Sequence, residues 1–265
     1  MPPDVEIIAP TQVSVTGRLI ETGGSYVNAG GNSDGSTYIQ DGGSILVQGG
    51  RFGSGSLTVA AEGTGTFTQT GGSVNMGDTV PYSSNGNITI KTGGVYHMSG
   101  GTLEGVAVPE VGQLSLDGGS FIYDGGTASI QTITNDGELS LNAKAAPGQF
   151  VVSNFSTTGT LNINDLSPLV SPLLSPTSAT LGETLSIELD PSYMPQMGDT
   201  FLLIQATKLT GTFSDYDFPD LPGNLYFQPD YTATSFSLQI VPEPSAVGIA
   251  ISAIWYSGLL KRRKR

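Results

Sequence analysis

The chain has 265 residues, of which 37 are Gly and 16 Pro, with 12% charged residues, 37% hydrophobic residues and a formal net charge of −13. Gly costs roughly 1 kcal/mol relative to Ala inside a helix, and Ser, Thr and Asn also favour strands and turns, so this mixture excludes a helical domain and points to an all-β one. The lack of Cys excludes disulfides and thiolate chemistry. Five of the ten Lys and Arg are the last five residues, which leaves five cations against all 23 acids in the rest of the chain and argues against nucleic acid as a partner.

The opening residues, Met1 to Glu6, show neither a basic start nor a long apolar stretch, so no signal peptide is visible in them. Gly-Gly pairs then punctuate the chain. Five lead a unit, at Gly23-Gly24, Gly42-Gly43, Gly71-Gly72, Gly93-Gly94 and Gly118-Gly119, and recur at intervals of 19, 29, 22 and 25 residues. Four of them are followed seven residues later by a second pair, at Gly30-Gly31, Gly49-Gly50, Gly100-Gly101 and Gly125-Gly126.

Between the corners the residues alternate. The third residue after each leading Gly is Tyr26, Ile45, Val74, Tyr96 or Phe121, and the fifth is Asn28, Val47, Met76, Met98 or Tyr123. Successive strand side chains point to opposite faces, so these two columns are expected to line one interior while Ser25, Ser44, Ser73 and Ser120 point away. A second strand is expected at Leu57 with Val59, Ile88 with Ile90, Leu114 with Leu116, and at Phe67. Two short strands and two turns leave an apolar face wet, and stacking removes it from water. About five to six coils, spaced about 4.8 Å apart, give a single-stranded β-solenoid (β-helix) over residues 1–150. A sandwich of hairpins is the alternative, but hairpins have no need to keep columns in register.

The pairs stop after Gly126, and a Pro every fourth residue at Pro168, Pro172 and Pro176 marks a loop or linker. Strands are expected to resume at about Thr184–Leu189, Thr200–Gln205 and Ser235–Val241. Residues 151–240 thus read as a small β-domain capping the solenoid.

Chemistry-bearing residues are sparse. His97 is the only His and falls between inward-facing Tyr96 and Met98, so it should face solvent; with Lys91 it lacks a placed carboxylate. Asp215, Asp217 and Asp220, and the Gly30–Gly35 stretch, read as solvated turns and not as metal ligands. Neither cofactor nor catalytic set is expected, so the chain reads as a non-enzyme. The competing readings are a carbohydrate-binding module using Tyr82, Tyr216 or Tyr231 as sugar platforms, and a β-helix polysaccharide lyase or hydrolase.

Residues 241–265 are the most specific part of the chain. They run Val241-Pro242-Glu243-Pro244-Ser245, then an uncharged stretch from Ala246 to Leu260, then Lys261, Arg262, Arg263, Lys264 and Arg265. Fifteen helical residues span about 22 Å against roughly 30 Å of hydrocarbon, so a transmembrane helix must recruit its flanks, with Trp255 near the interface and the basic block as a cytoplasmic stop.

In this order of parts the tail resembles the PEP-CTERM sorting signal of Gram-negative bacteria: a Pro-Glu-Pro motif (Pro242, Glu243, Pro244), a hydrophobic segment and a basic end. The body from Gly65 to Met76 and from Ile88 to Leu103 is similar to the autotransporter-like β-helical repeats that such proteins carry. The resemblance implies an exosortase-type membrane transpeptidase as partner, transient residence in the inner membrane, removal of the tail, and delivery to the cell surface, the extracellular space or exopolysaccharide.

Overall fold

The computed structural model describes residues 6–8, 13–21, 25–40, 44–54, 56–61, 63–76, 86–105 and 111–243. Its strands form one 18-stranded sheet, paired in parallel throughout, and one three-stranded antiparallel sheet. The protein is therefore all-β, with a large parallel sheet of solenoid-like pairing.

Each strand finds its partner one repeat further along the chain. In the first ladder Glu6 stands beside Ser25, and the register passes through Ser44, Thr66, Val95, Ser120, Glu138, Thr160 and Thr184 to Asp215. These ten described rungs, spaced about 4.8 Å apart, extend roughly 43 Å. A second ladder carries Ser33, Phe52, Val74, Leu103, Ala128 and Phe150 in succession. A third runs from Tyr38 through Leu57, Ile88, Leu114, Ile133, Phe155 and Ala179 to Leu209.

The alternation seen in the sequence is the alternation of burial. Ile45, Val47, Val74, Met76, Tyr96, Met98, Phe121 and Tyr123 are all fully buried, as are Leu57, Val59, Ile88, Ile90, Leu114 and Leu116. Large side chains meet from rung to rung: Phe52 lies edge-on to Phe67 at 5.3 Å, Phe67 lies 4.6 Å from Tyr96, and Tyr96 lies 5.0 Å from Phe121. Such pairs contribute about 0.5–1.5 kcal/mol each beyond the area they bury, so the stack favours one register over a slip by a residue.

Three points differ from the expectation. Val74 and Met76 do not continue the column of Ile45 and Tyr96, because Phe67 and Gln69 hold that place. The pair Gly71-Gly72 is a trailing corner, and the leading corner of that rung is Gly63-Thr64-Gly65, which a search for adjacent glycines passes over. Each full rung also has three strand segments instead of two, since the residues after the trailing corner, such as Arg51 to Ser54 and Ser73 to Met76, form the second ladder. Thirdly, the first ladder does not break at residue 150, and the described rungs exceed the expected five or six. The later corners replace a Gly-Gly pair with a single Gly at a close approach: a Cβ on Gly137 would lie 2.2 Å from the Gly119 carbonyl oxygen, and one on Gly159 would lie 2.2 Å from that of Gly137.

Among the described residues, the polar side chains of Gln69 and Asn135 are buried completely inside the stack. Gln69 accepts from the Tyr96 hydroxyl at 2.7 Å and donates to the Thr102 carbonyl at 3.0 Å. Asn135 donates to Thr157 Oγ1 and to the Thr160 carbonyl, and its Oδ1 accepts from the Gly137 backbone N–H. Each thus meets the requirement that a buried donor or acceptor be paired.

The proline-rich stretch is a loop, as expected, but it is tied down: Leu173 and Leu174 are buried and their N–H groups donate to the carbonyls of Leu202 and Leu203. The antiparallel sheet has the order Thr200–Gln205, Ser235–Pro242, Leu225–Tyr231. It packs on the last rungs through Phe213 against Phe236 at 5.3 Å and Phe218 against Phe227 at 5.2 Å. The expected terminal membrane helix lies outside the described residues, and among those described no helix is long and apolar enough to cross a membrane.

Candidate functional site

In the described rungs from Ile45 onward the inward side chains are buried, so the polar groups these rungs offer to solvent stand at the outward positions of the three ladders. On the first ladder these include the acids Glu138, Asp215 and Asp217. Glu138 accepts hydrogen bonds from Ser120 and Asn162, and Asp217 accepts one from Ser186. His97 faces outward, as its place in the alternation requires, and its Nε2 lies 2.7 Å from Asp124 Oδ2. The carboxylate that the sequence left unplaced is therefore beside it, brought from 27 residues away by the Tyr96–Phe121 register. Lys91 lies on the third ladder, where its register partner is Asp117.

Asp215 to Asp217 form a strand and not the turn expected for them, with Tyr216 pointing to the interior column beside Leu185. Among the described residues no three His, Asp or Glu converge. Tyr216 and Tyr231 do not form a sugar platform: both are half-buried, their hydroxyls lie 2.9 Å apart, and Tyr231 stacks on Phe236 with ring centroids 4.5 Å apart. Burial pushes the Tyr231 hydroxyl well above its ordinary pKa, as suits a packing role. Tyr82 lies outside the described residues.

The third ladder presents a different surface. One outward column places Thr58, Thr89, Ser115 and Thr134 in direct succession, and continues with Ser156, Thr180 and Thr210. Two residues earlier on each strand stands a second column, with Asn87, Gln113, Thr132, Asn154, Ser178 and Lys208. The two columns are about 6.7 Å apart along the strands and repeat about every 4.8 Å across them. From Thr58 to Thr210 they hold no acid and no apolar residue; the next outward position along the strands carries Lys91 beside Asp117, and Asp136 lies at the bend that follows its strand. Several of the side chains bond along the ladder: Ser178 Oγ donates to Asn154 Oδ1 at 2.8 Å, and the Thr180 and Thr210 hydroxyls lie 3.1 Å apart. The sequence signal is a Ser or Thr after an apolar residue and often before another, as in Leu57-Thr58-Val59, Ile88-Thr89-Ile90 and Leu114-Ser115-Leu116. Reading by glycine corners passes over it.

Of the tail, Pro242 ends the last strand opposite Leu225, and the N–H of exposed Glu243 donates to the Asn224 carbonyl at 2.8 Å. Glu243 borders an open pocket of about 400 Å³ whose other walls include Phe218, Asp220, Leu221 and Tyr226. Pro244, Trp255, Lys261, Arg262, Arg263, Lys264 and Arg265 lie outside the described residues. No family model matches the chain, and no curated protein matches it.

Proposed function

We propose that this chain is a non-catalytic structural protein of the cell surface or extracellular matrix: a β-solenoid rod, covered at one end by its antiparallel sheet, carrying a PEP-CTERM-type tail with a transmembrane helix. The observation that carries this reading is the uninterrupted first ladder. Ten rungs in register, with inward apolar side chains buried from Ile45 onward, make a stiff element whose free energy is spread along its length, which suits a spacer or matrix component. The ordered tail in the sequence supports the address, and the position of Pro242 and exposed Glu243 at the end of the last strand would leave the motif accessible to a processing enzyme.

On this reading the hydrophobic segment halts in the inner membrane with the basic block inside. An exosortase-type transpeptidase then cuts near Pro242–Pro244, and the acidic body passes to the surface or to exopolysaccharide. Mass spectrometry of the protein recovered from the extracellular fraction tests it. The expected C-terminus lies near Pro244, and recovery of chains ending at Arg265 from that fraction would refute processing.

A further inference from the structure

We propose that the outward face of the third ladder is a docking surface for an extended, neutral polysaccharide chain. The charge distribution carries the argument. Outside the terminal basic block the chain holds 23 acids against five cations, yet the two columns across seven rungs hold no acid and one cation, Lys208, at the far end. The first ladder, built by the same alternation, places Glu138, Asp215 and Asp217 on its outward face, so the fold does not itself exclude acids from such positions.

The chemistry of the face narrows the occupant. Over the seven rungs from Thr58 to Thr210, which follow Ile39 in register, the face has no apolar or aromatic residue and so lacks the anchors on which a protein partner or a lipid surface depends. A polyanion would meet the repulsion of the surrounding acids within a Debye length of about 10 Å. What the face does offer is a two-dimensional array of hydroxyl and amide groups, each able to donate and accept, at a pitch close to the length of one pyranose unit along an extended chain. The bonds from Ser178 to Asn154 and between Thr180 and Thr210 hold several of these groups in place before a ligand arrives, which lowers the ordering cost of binding.

This deepens the proposed surface role and rests on it for its biological setting, but its test is independent of tail processing. The full chain is applied to an array of β-glucans, mannans, galactans and xylans beside polygalacturonate. Retention on at least one neutral polymer and none on the polyuronate is expected. Thr134→Glu with Thr180→Glu, both at exposed positions, should weaken that retention at least tenfold with an unchanged urea midpoint, whereas Ser129→Glu on the second ladder should leave it within twofold. The proposal is overturned if the intact chain retains no neutral polymer, or if the control variant loses as much as the face variant. It is also overturned if the double variant acts only by abolishing a dimer, or if the face shapes ice crystals while no glycan binds.

Discussion

Gln69 occupies a position that the pattern of its neighbours would fill with an apolar residue, between Val47 and Met98 in the first ladder. A reading of the column alone expects Gln69→Met, which preserves volume, to stabilise the protein. The structure requires the opposite. Tyr96 is fully buried, burial raises its hydroxyl well above the ordinary pKa, and that hydroxyl donates to Gln69 Oε1 at 2.7 Å. Methionine leaves the hydroxyl without an acceptor and the Thr102 carbonyl without the Gln69 donor, a cost of about 1–3 kcal/mol that the added apolar burial only partly offsets. Tyr96→Phe alone strands Gln69 Oε1 and costs a similar amount. The double variant removes both ends of the bond and should be more stable than the sum of the two losses by about 1–2 kcal/mol. Urea titration of the four proteins, compared at constant slope, gives the coupling. Stabilisation by Gln69→Met alone, or losses that add within about 0.5 kcal/mol, would refute the assignment of a buried network.

The other expectations follow from corners and charges. Gly137→Ala drives a Cβ to 2.2 Å from the Gly119 carbonyl oxygen, backbone that cannot yield cheaply, and should cost about 1–3 kcal/mol in a urea titration; Gly182→Ala, whose nearest neighbour lies at 3.2 Å, should cost under half as much. Asp190 is held down to about 2 by its 2.8 Å bond to the Lys144 ammonium and by bonds from Ser192. Its folded pKa is below the unfolded value of about 3.9, so its contribution is complete above that value and is lost as pH falls towards 2. Asp190→Asn should therefore flatten the acid limb of the stability curve, and an unchanged limb would contradict the pairing.

Much of the fold was legible because side-chain alternation is a local property of an extended chain. Ile45 and Val47, Tyr96 and Met98, and Phe121 and Tyr123 announce their buried face within five residues, and the strands Thr184–Leu189 and Thr200–Gln205 announce theirs without any glycine signal. His97 was placed outward by the same rule. Phe150–Thr157 and Thr160–Leu166 escaped notice because their corners use one glycine or none, so nothing in the sequence marks where a rung begins.

Composition and alternation in the sequence alone determined an all-β chain, the inward residues of most rungs and the acidity of its surface. Only the tertiary structure decided which residues become neighbours across rungs, since successive rungs of the first ladder begin between 18 and 31 residues apart. Register is settled by hydrogen bonds and packing summed over pairs of rungs, such as Phe67 on Tyr96 and Asn135 on Thr157, and no single rung contains that information. For the same reason the Asp124 beside His97 and the hydroxyl column from Thr58 to Thr210 exist only once the rungs are stacked.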